Sequence, residues 1–106
     1  MGMYGRVCGR EVKLNSLAAI ALASVKPDYG YWVEVNESDV YGMVCYMRQR
    51  LLDGWAHECA GWGSDGRPLT GVQDVYRFES DVRDFTALVH WLTNPHDRES
   101  QTIIFS

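Results

Sequence analysis

The chain has 106 residues, 46% apolar and 23% charged, with a formal net charge of −4. That length fits one domain spanning 1–106, able to bury roughly 65% of its unfolded surface, and the apolar share excludes a disordered chain. Three cysteines, Cys8, Cys45 and Cys59, exclude a disulfide framework and fit a reducing compartment.

Taken in chain order, residues 3–14 are ambiguous. Tyr4, Arg6, Val7, Cys8 and Val12 suit a short strand, whereas Gly5 and Gly9 weaken one. Asn15 can cap a helix from Ser16 to about Val25 that is apolar nearly all round and is expected to be deeply packed. Pro27-Asp28-Tyr29-Gly30 reads as a turn. Tyr31–Val35 then alternates, with Trp32 and Glu34 on the face opposite Tyr31, Val33 and Val35.

Asn36 or Ser38 can cap a second helix, with Glu37 and Asp39 near its positive end. Val40, Met43, Val44, Met47 and Leu51 give that helix a core-facing stripe. Gly54 fits a helix stop. Residues 55–62 and 72–79 read as two strands joined by the loop 63–71 into a hairpin, the second of them rich in Val, Tyr and Phe. Ser80 then caps a third helix, with Asp81 and Asp84 in its first turn and Val82, Phe85, Val89 and Leu92 as its apolar stripe. Asn94-Pro95 stops it. A last strand covers Gln101–Phe105, and its end, Thr102–Phe105, is an open sheet edge unless paired inside the fold. The class is α+β: one domain with a mixed or antiparallel sheet of about four strands, a central hairpin, and three helices packed on it.

No motif here completes a known chemistry. Gly61-Trp62-Gly63-Ser64-Asp65-Gly66 spells a dinucleotide fingerprint, but Arg67-Pro68 follows and no helix opens to receive a pyrophosphate. His57 and Cys59, two apart on a strand, would share a face and offer two metal ligands or a Cys–His pair. Zinc needs three or four ligands, and only His90 and His96 remain. The only lysines are Lys13 and Lys26, and no nucleophile elbow is present. No catalytic residue, metal ligand set or cofactor is therefore expected, with a small enzyme or metal protein built on His57 and Cys59 as the alternative.

Charge and aromatic content say more. Residues 1–26 carry four basic side chains against Glu11, and the remaining residues carry six against thirteen acidic ones. An acidic body repels phosphates, so direct nucleic-acid binding is not expected; it attracts a basic partner surface. Trp32, Trp55, Trp62 and Trp91 stand beside six tyrosines and three phenylalanines, more aromatic residues than a small core readily holds, and exposed Trp and Tyr are interface anchors.

The segment Val75–Leu92, a strand, then Glu79-Ser80-Asp81, then an aromatic-rich helix ending in His90-Trp91-Leu92, resembles small phage-encoded accessory proteins of the anti-CRISPR, host-inhibitor type. That resemblance implies stoichiometric binding to a host protein or complex without catalysis. The expectation is a non-catalytic binding protein that docks on a larger bacterial protein or ribonucleoprotein complex. The partner-binding residues expected are Trp32, Glu34, Glu37, Asp39, Trp62, Asp65, Asp81 and Asp84. No signal pattern and no run of ~18 apolar residues is present, so no membrane partner is expected. The expected location is the cytoplasm, that of the bacterial host if the chain is phage-encoded. A homo-oligomer joined through a sheet edge is a further alternative.

Overall fold

A computed structural model describes residues 3–14, 16–59 and 72–106. The ambiguous first segment is a hairpin: β1 (Met3–Val7) pairs antiparallel with β2 (Arg10–Leu14), Val7 opposite Arg10. The linking residues Cys8 (φ 52°) and Gly9 (φ 79°) are both left-handed, as a two-residue type I′ turn requires. Side chains alternate, with Val7, Val12 and Leu14 buried and Tyr4, Arg6, Glu11 and Lys13 exposed. The glycines that argue against a strand are what permit this one. Gly9 makes the turn, and Gly5 leaves room for the Phe105 ring, which a Cβ would approach to 2.7 Å.

β3 (Val33–Val35) pairs antiparallel with β4 (Ile103–Phe105), Val33 opposite Phe105. Tyr4 and Ser106 exchange both backbone hydrogen bonds, at 2.9 and 3.0 Å. Such an exchange is the hydrogen-bonded pair of an antiparallel ladder, and it joins the two small sheets in the order β2-β1-β4-β3. β4 is therefore interior, not the open edge its terminal position suggests. The edges are β2 and β3.

The inner face of these strands carries Val7, Val12, Leu14, Val33, Val35, Ile103 and Phe105, all buried, and three helices cover it. α1 (Ser16–Val25) buries Leu17, Ala18, Ala21 and Leu22 but exposes Ile20 and Ala23. It is a surface helix with one solvent-facing side, despite its uniform apolarity. α2 (Glu37–Cys59) buries Val40, Met43 and Met47 completely and half-buries Val44 and Leu51, as the stripe predicts. Gly42 lets α1 approach, since a Cβ there would lie 2.7 Å from Val25 Cγ1. α3 (Val72–Thr93) lies against α1, α2 and β2. A 3₁₀ turn at Pro95–Asp97 follows, where Pro95 ends the helix as expected.

The α+β class with three helices and four strands stands, but the central hairpin does not. Residues 55–59 continue α2 through Gly54, and residues 72–79 open α3. A single glycine costs only about 1 kcal/mol in a helix, and Ala56 and Glu58 favour the helix beyond it. In α3 the apolar spacing Val75, Phe78, Val82, Phe85 is already helical, so period outweighs the β preference of Val and Phe. Ser80 is accordingly within α3 and not its cap.

Candidate functional site

The first turn of α2 carries two of the six described candidates, Glu37 and Asp39. Asn36 caps it: its Oδ1 accepts from the Asp39 backbone N–H at 2.9 Å, and Asp39 Oδ2 accepts from the Asn36 N–H at 3.0 Å. This is a reciprocal capping box with aspartate in the third position. Lys26, just past α1, stands 3.5 Å from the same Asp39 carboxylate. Glu37 is held from the other side by Arg98, whose Nη1 donates to Glu37 Oε2 at 3.1 Å.

Arg98 anchors the region. Its side chain is only 3% exposed. Nε donates to the Trp91 carbonyl at 2.7 Å, Nη2 donates to the Leu92 carbonyl at 3.2 Å, and the guanidinium lies 4.0 Å from the Trp91 ring centroid. One cation thus satisfies carbonyls at the end of α3, meets the negative end of its dipole, stacks on an indole, and reaches the first residue of α2. The result is a shallow cleft of ≈ 490 Å³ between the two helices, lined by Glu37, Ser38, Tyr41 and Leu92.

Tyr41 lines this cleft, and two more aromatic side chains are exposed a few residues before it in the chain. Tyr31 is 98% exposed, Trp32 57% and Tyr41 64%. Glu34 is exposed on β3 opposite Ile104, which is also exposed. Of the expected binding residues, Trp32, Glu34 and Glu37 are thus at the surface. Asp39 is half-buried and already engaged by the cap and Lys26. Trp62 and Asp65 lie outside the described residues. The sequence reading missed Tyr31, Tyr41 and Arg98. Tyr31 is assigned there to the same face as Val33, but β3 begins only at Val33, so the alternation does not reach it.

Asp81 and Asp84 correct the reading most sharply. They do not stand at an exposed helix start. They lie mid-way along α3, each 8% exposed, because the helix begins nine residues before Asp81. The buried line is Asp81, Asp84, Leu88 and Trp91, one residue back from the apolar stripe Val82, Phe85, Val89, Leu92, whose members are only partly buried or exposed. Asp84 Oδ2 is buried with no hydrogen-bond partner among the described residues. Burial, then the nearby Asp81 charge, pushes Asp84 up to about 6, against a weaker opposing pull from Arg83. Asp84 sits in a second cleft, ≈ 530 Å³, between β2 and α3, with Arg10, Glu11, Lys13, Ser80 and Arg83 around it.

The chemistry sought at His57 and Cys59 loses its premise. Both positions fall in the last turn of α2, where the backbone lacks the strand period of two that would align them. His90 is bound instead into a surface network: Nε2 lies 3.0 Å from Asp97 Oδ2, and the Asn94 amide lies 3.1 Å from Nδ1. An amide N–H at Nδ1 leaves the ring proton on Nε2, donated to Asp97. Cys8 is held as a thiol by burial and, secondarily, by the Asp97 charge, the opposite of an activated nucleophile. Among the described residues, no three His, Cys, Asp or Glu side chains gather to hold a metal ion, and no helix is long and apolar enough to cross a membrane.

Compared with protein-family models, with curated proteins and with solved structures, the chain matches none of them.

Proposed function

We propose that this chain is a non-catalytic binding protein that docks on a larger bacterial protein or nucleoprotein complex, as an inhibitor of the phage-encoded, anti-CRISPR kind. The observation that supports docking is the exposure of Tyr31, Trp32 and Tyr41 within eleven consecutive residues. Large aromatic side chains held in water on a rigid frame are the residues that anchor protein interfaces when a partner buries them. Glu34 and Glu37 lie in the same segment and favour a partner with a basic rim. The aromatic residues have gained weight over the acidic ones, since Asp81 and Asp84 are buried and Asp39 is already paired.

The test is retention of a bacterial partner by the tagged chain, compared with a Tyr31→Ser, Trp32→Ser, Tyr41→Ser variant of unchanged circular dichroism. Loss of that partner in the variant supports the reading, and equal retention overturns it. The inhibitor assignment has its own arm. Expression in cells with an active CRISPR–Cas system restores plaque formation by a targeted phage if the assignment holds. Unchanged restriction removes the assignment and leaves docking as a separate matter.

A further inference from the structure

The cleft between β2 and α3 is chemically unlike the exposed aromatic residues and is not used by the docking proposal. Among the described residues its wall carries three cations, Arg10 and Lys13 from β2 and Arg83 from α3. None of the three forms an ion pair among the described residues, although Lys13 Nζ lies over the Tyr4 ring, 5.6 Å from its centroid, and the chain as a whole is acidic. The same cleft holds Asp84, more than nine-tenths buried, whose Oδ2 accepts no hydrogen bond among the described residues. Buried carboxylate oxygens are ordinarily satisfied. Cations gathered in one cleft make it attractive to an anion. The two observations call for opposite charges on one occupant.

The geometry points to a binding site in this cleft for a small zwitterion, its ammonium donating to Asp84 and its anionic group held among Arg10, Lys13 and Arg83. A volume of ≈ 530 Å³ lies within the range of small-molecule sites. A simple anion leaves Asp84 unsatisfied and meets its charge, as well as that of Glu11. A simple cation meets three like charges on the way in. A molecule carrying both groups answers the charged side chains described in the wall. Ser80, half-buried at the same cleft, adds a hydroxyl that donates or accepts.

The experiment is a chemical-shift titration of isotope-labelled protein at pH 7. The probes are the standard zwitterionic amino acids in mixtures, with inorganic phosphate and methylammonium chloride as single-charge controls. The expected result is saturable shifts confined to β2 and residues 80–87, with a Kd at or below about 1 mM, for at least one zwitterion and for neither control. Asp84→Asn keeps the shape and removes the charge, Arg83→Gln lies on the exposed rim, and each should weaken that zwitterion by about tenfold or more. The proposal is overturned if no zwitterion saturates, if phosphate alone binds as tightly, or if the zwitterion binds Asp84→Asn as well as the parent. The docking test at Tyr31, Trp32 and Tyr41 is read independently of this one.

Discussion

The guanidinium carbon of Arg98 lies over Trp91, 4.0 Å from its ring centroid, while its Nε donates 2.7 Å to the Trp91 carbonyl. One residue thus grips both the side chain and the backbone of another seven positions earlier. It then extends to Glu37 at 3.1 Å, so the end of α3 and the start of α2 share a single buried cation. Removing it leaves carbonyls at the helix end without donors and uncovers the indole. Arg98→Ala should cost about 2–4 kcal/mol, measured by urea denaturation. Arg98→Lys should recover only a minor part, because an ammonium lacks the fork that meets three acceptors and the plane that stacks.

Asp84 gives the protein a pH dependence of opposite sign to a salt-bridged carboxylate. Its folded pKa, about 6, is above its ordinary value of 3.8, so the folded state holds the proton more tightly than the unfolded state. No penalty exists below the lower value, where both states are neutral. Stability falls as pH rises between the two values and stays at the lower level above about 6. Asp84→Asn should flatten that slope and stabilise the fold by about 1–2 kcal/mol at pH 7. Thermal melts of both proteins from pH 4 to pH 7 check this. Parallel pH profiles would show that Asp84 does not carry the slope.

Gly5 and Phe105 meet where β1 passes β4. A Cβ at position 5 would lie 2.7 Å from both Cδ1 and Cε1 of the Phe105 ring, and a ring packed fully inside the core has little room to shift. Gly5→Ala should cost about 1–3 kcal/mol. Combined with Phe105→Leu, the two costs should fall short of their sum by about 0.5 kcal/mol or more. Additive denaturation energies would mean that the two positions do not collide.

The capping box at the start of α2 predicts a modest loss of stability. Asn36→Ala removes the acceptor for the Asp39 N–H and should cost about 1 kcal/mol. Asp39→Ala removes the return bond and the Lys26 ion pair as well, the latter contributing little because it is partly solvated. Guanidinium denaturation of the two single variants and the double variant should show strong coupling, since each half of the box serves the other.

At the exposed aromatic residues, stability and binding should separate. Tyr31 and Trp32 stand largely in water, so Tyr31→Ser and Trp32→Ser should each leave the unfolding energy within about 0.5 kcal/mol. If they anchor a partner, each should weaken its binding by about 2 kcal/mol. Calorimetry on the retained partner measures the second, denaturation the first. A large stability loss would place these rings in the core.

Local chemistry made several elements legible in the residues alone. The Asn36 cap, the buried line Val40, Met43 and Met47 and the Pro95 stop each depend on neighbours within a turn or two, and each stands as expected. Contacts between residues far apart in the chain decided the rest. A β-rich composition at 72–79 yields to the helical period of α3, and that helix is turned by one residue so that Asp81 and Asp84 go inward and Val82 outward. β4 becomes interior because Tyr4 pairs with Ser106 across almost the whole sequence. Arg98, with nothing local to mark it, becomes the buried link between two helices because Glu37, sixty-one positions away, lies beside the end of α3. Periodicity fixes which residues share a face, but the orientation of that face is set by packing energy summed over elements that meet only when the chain has folded.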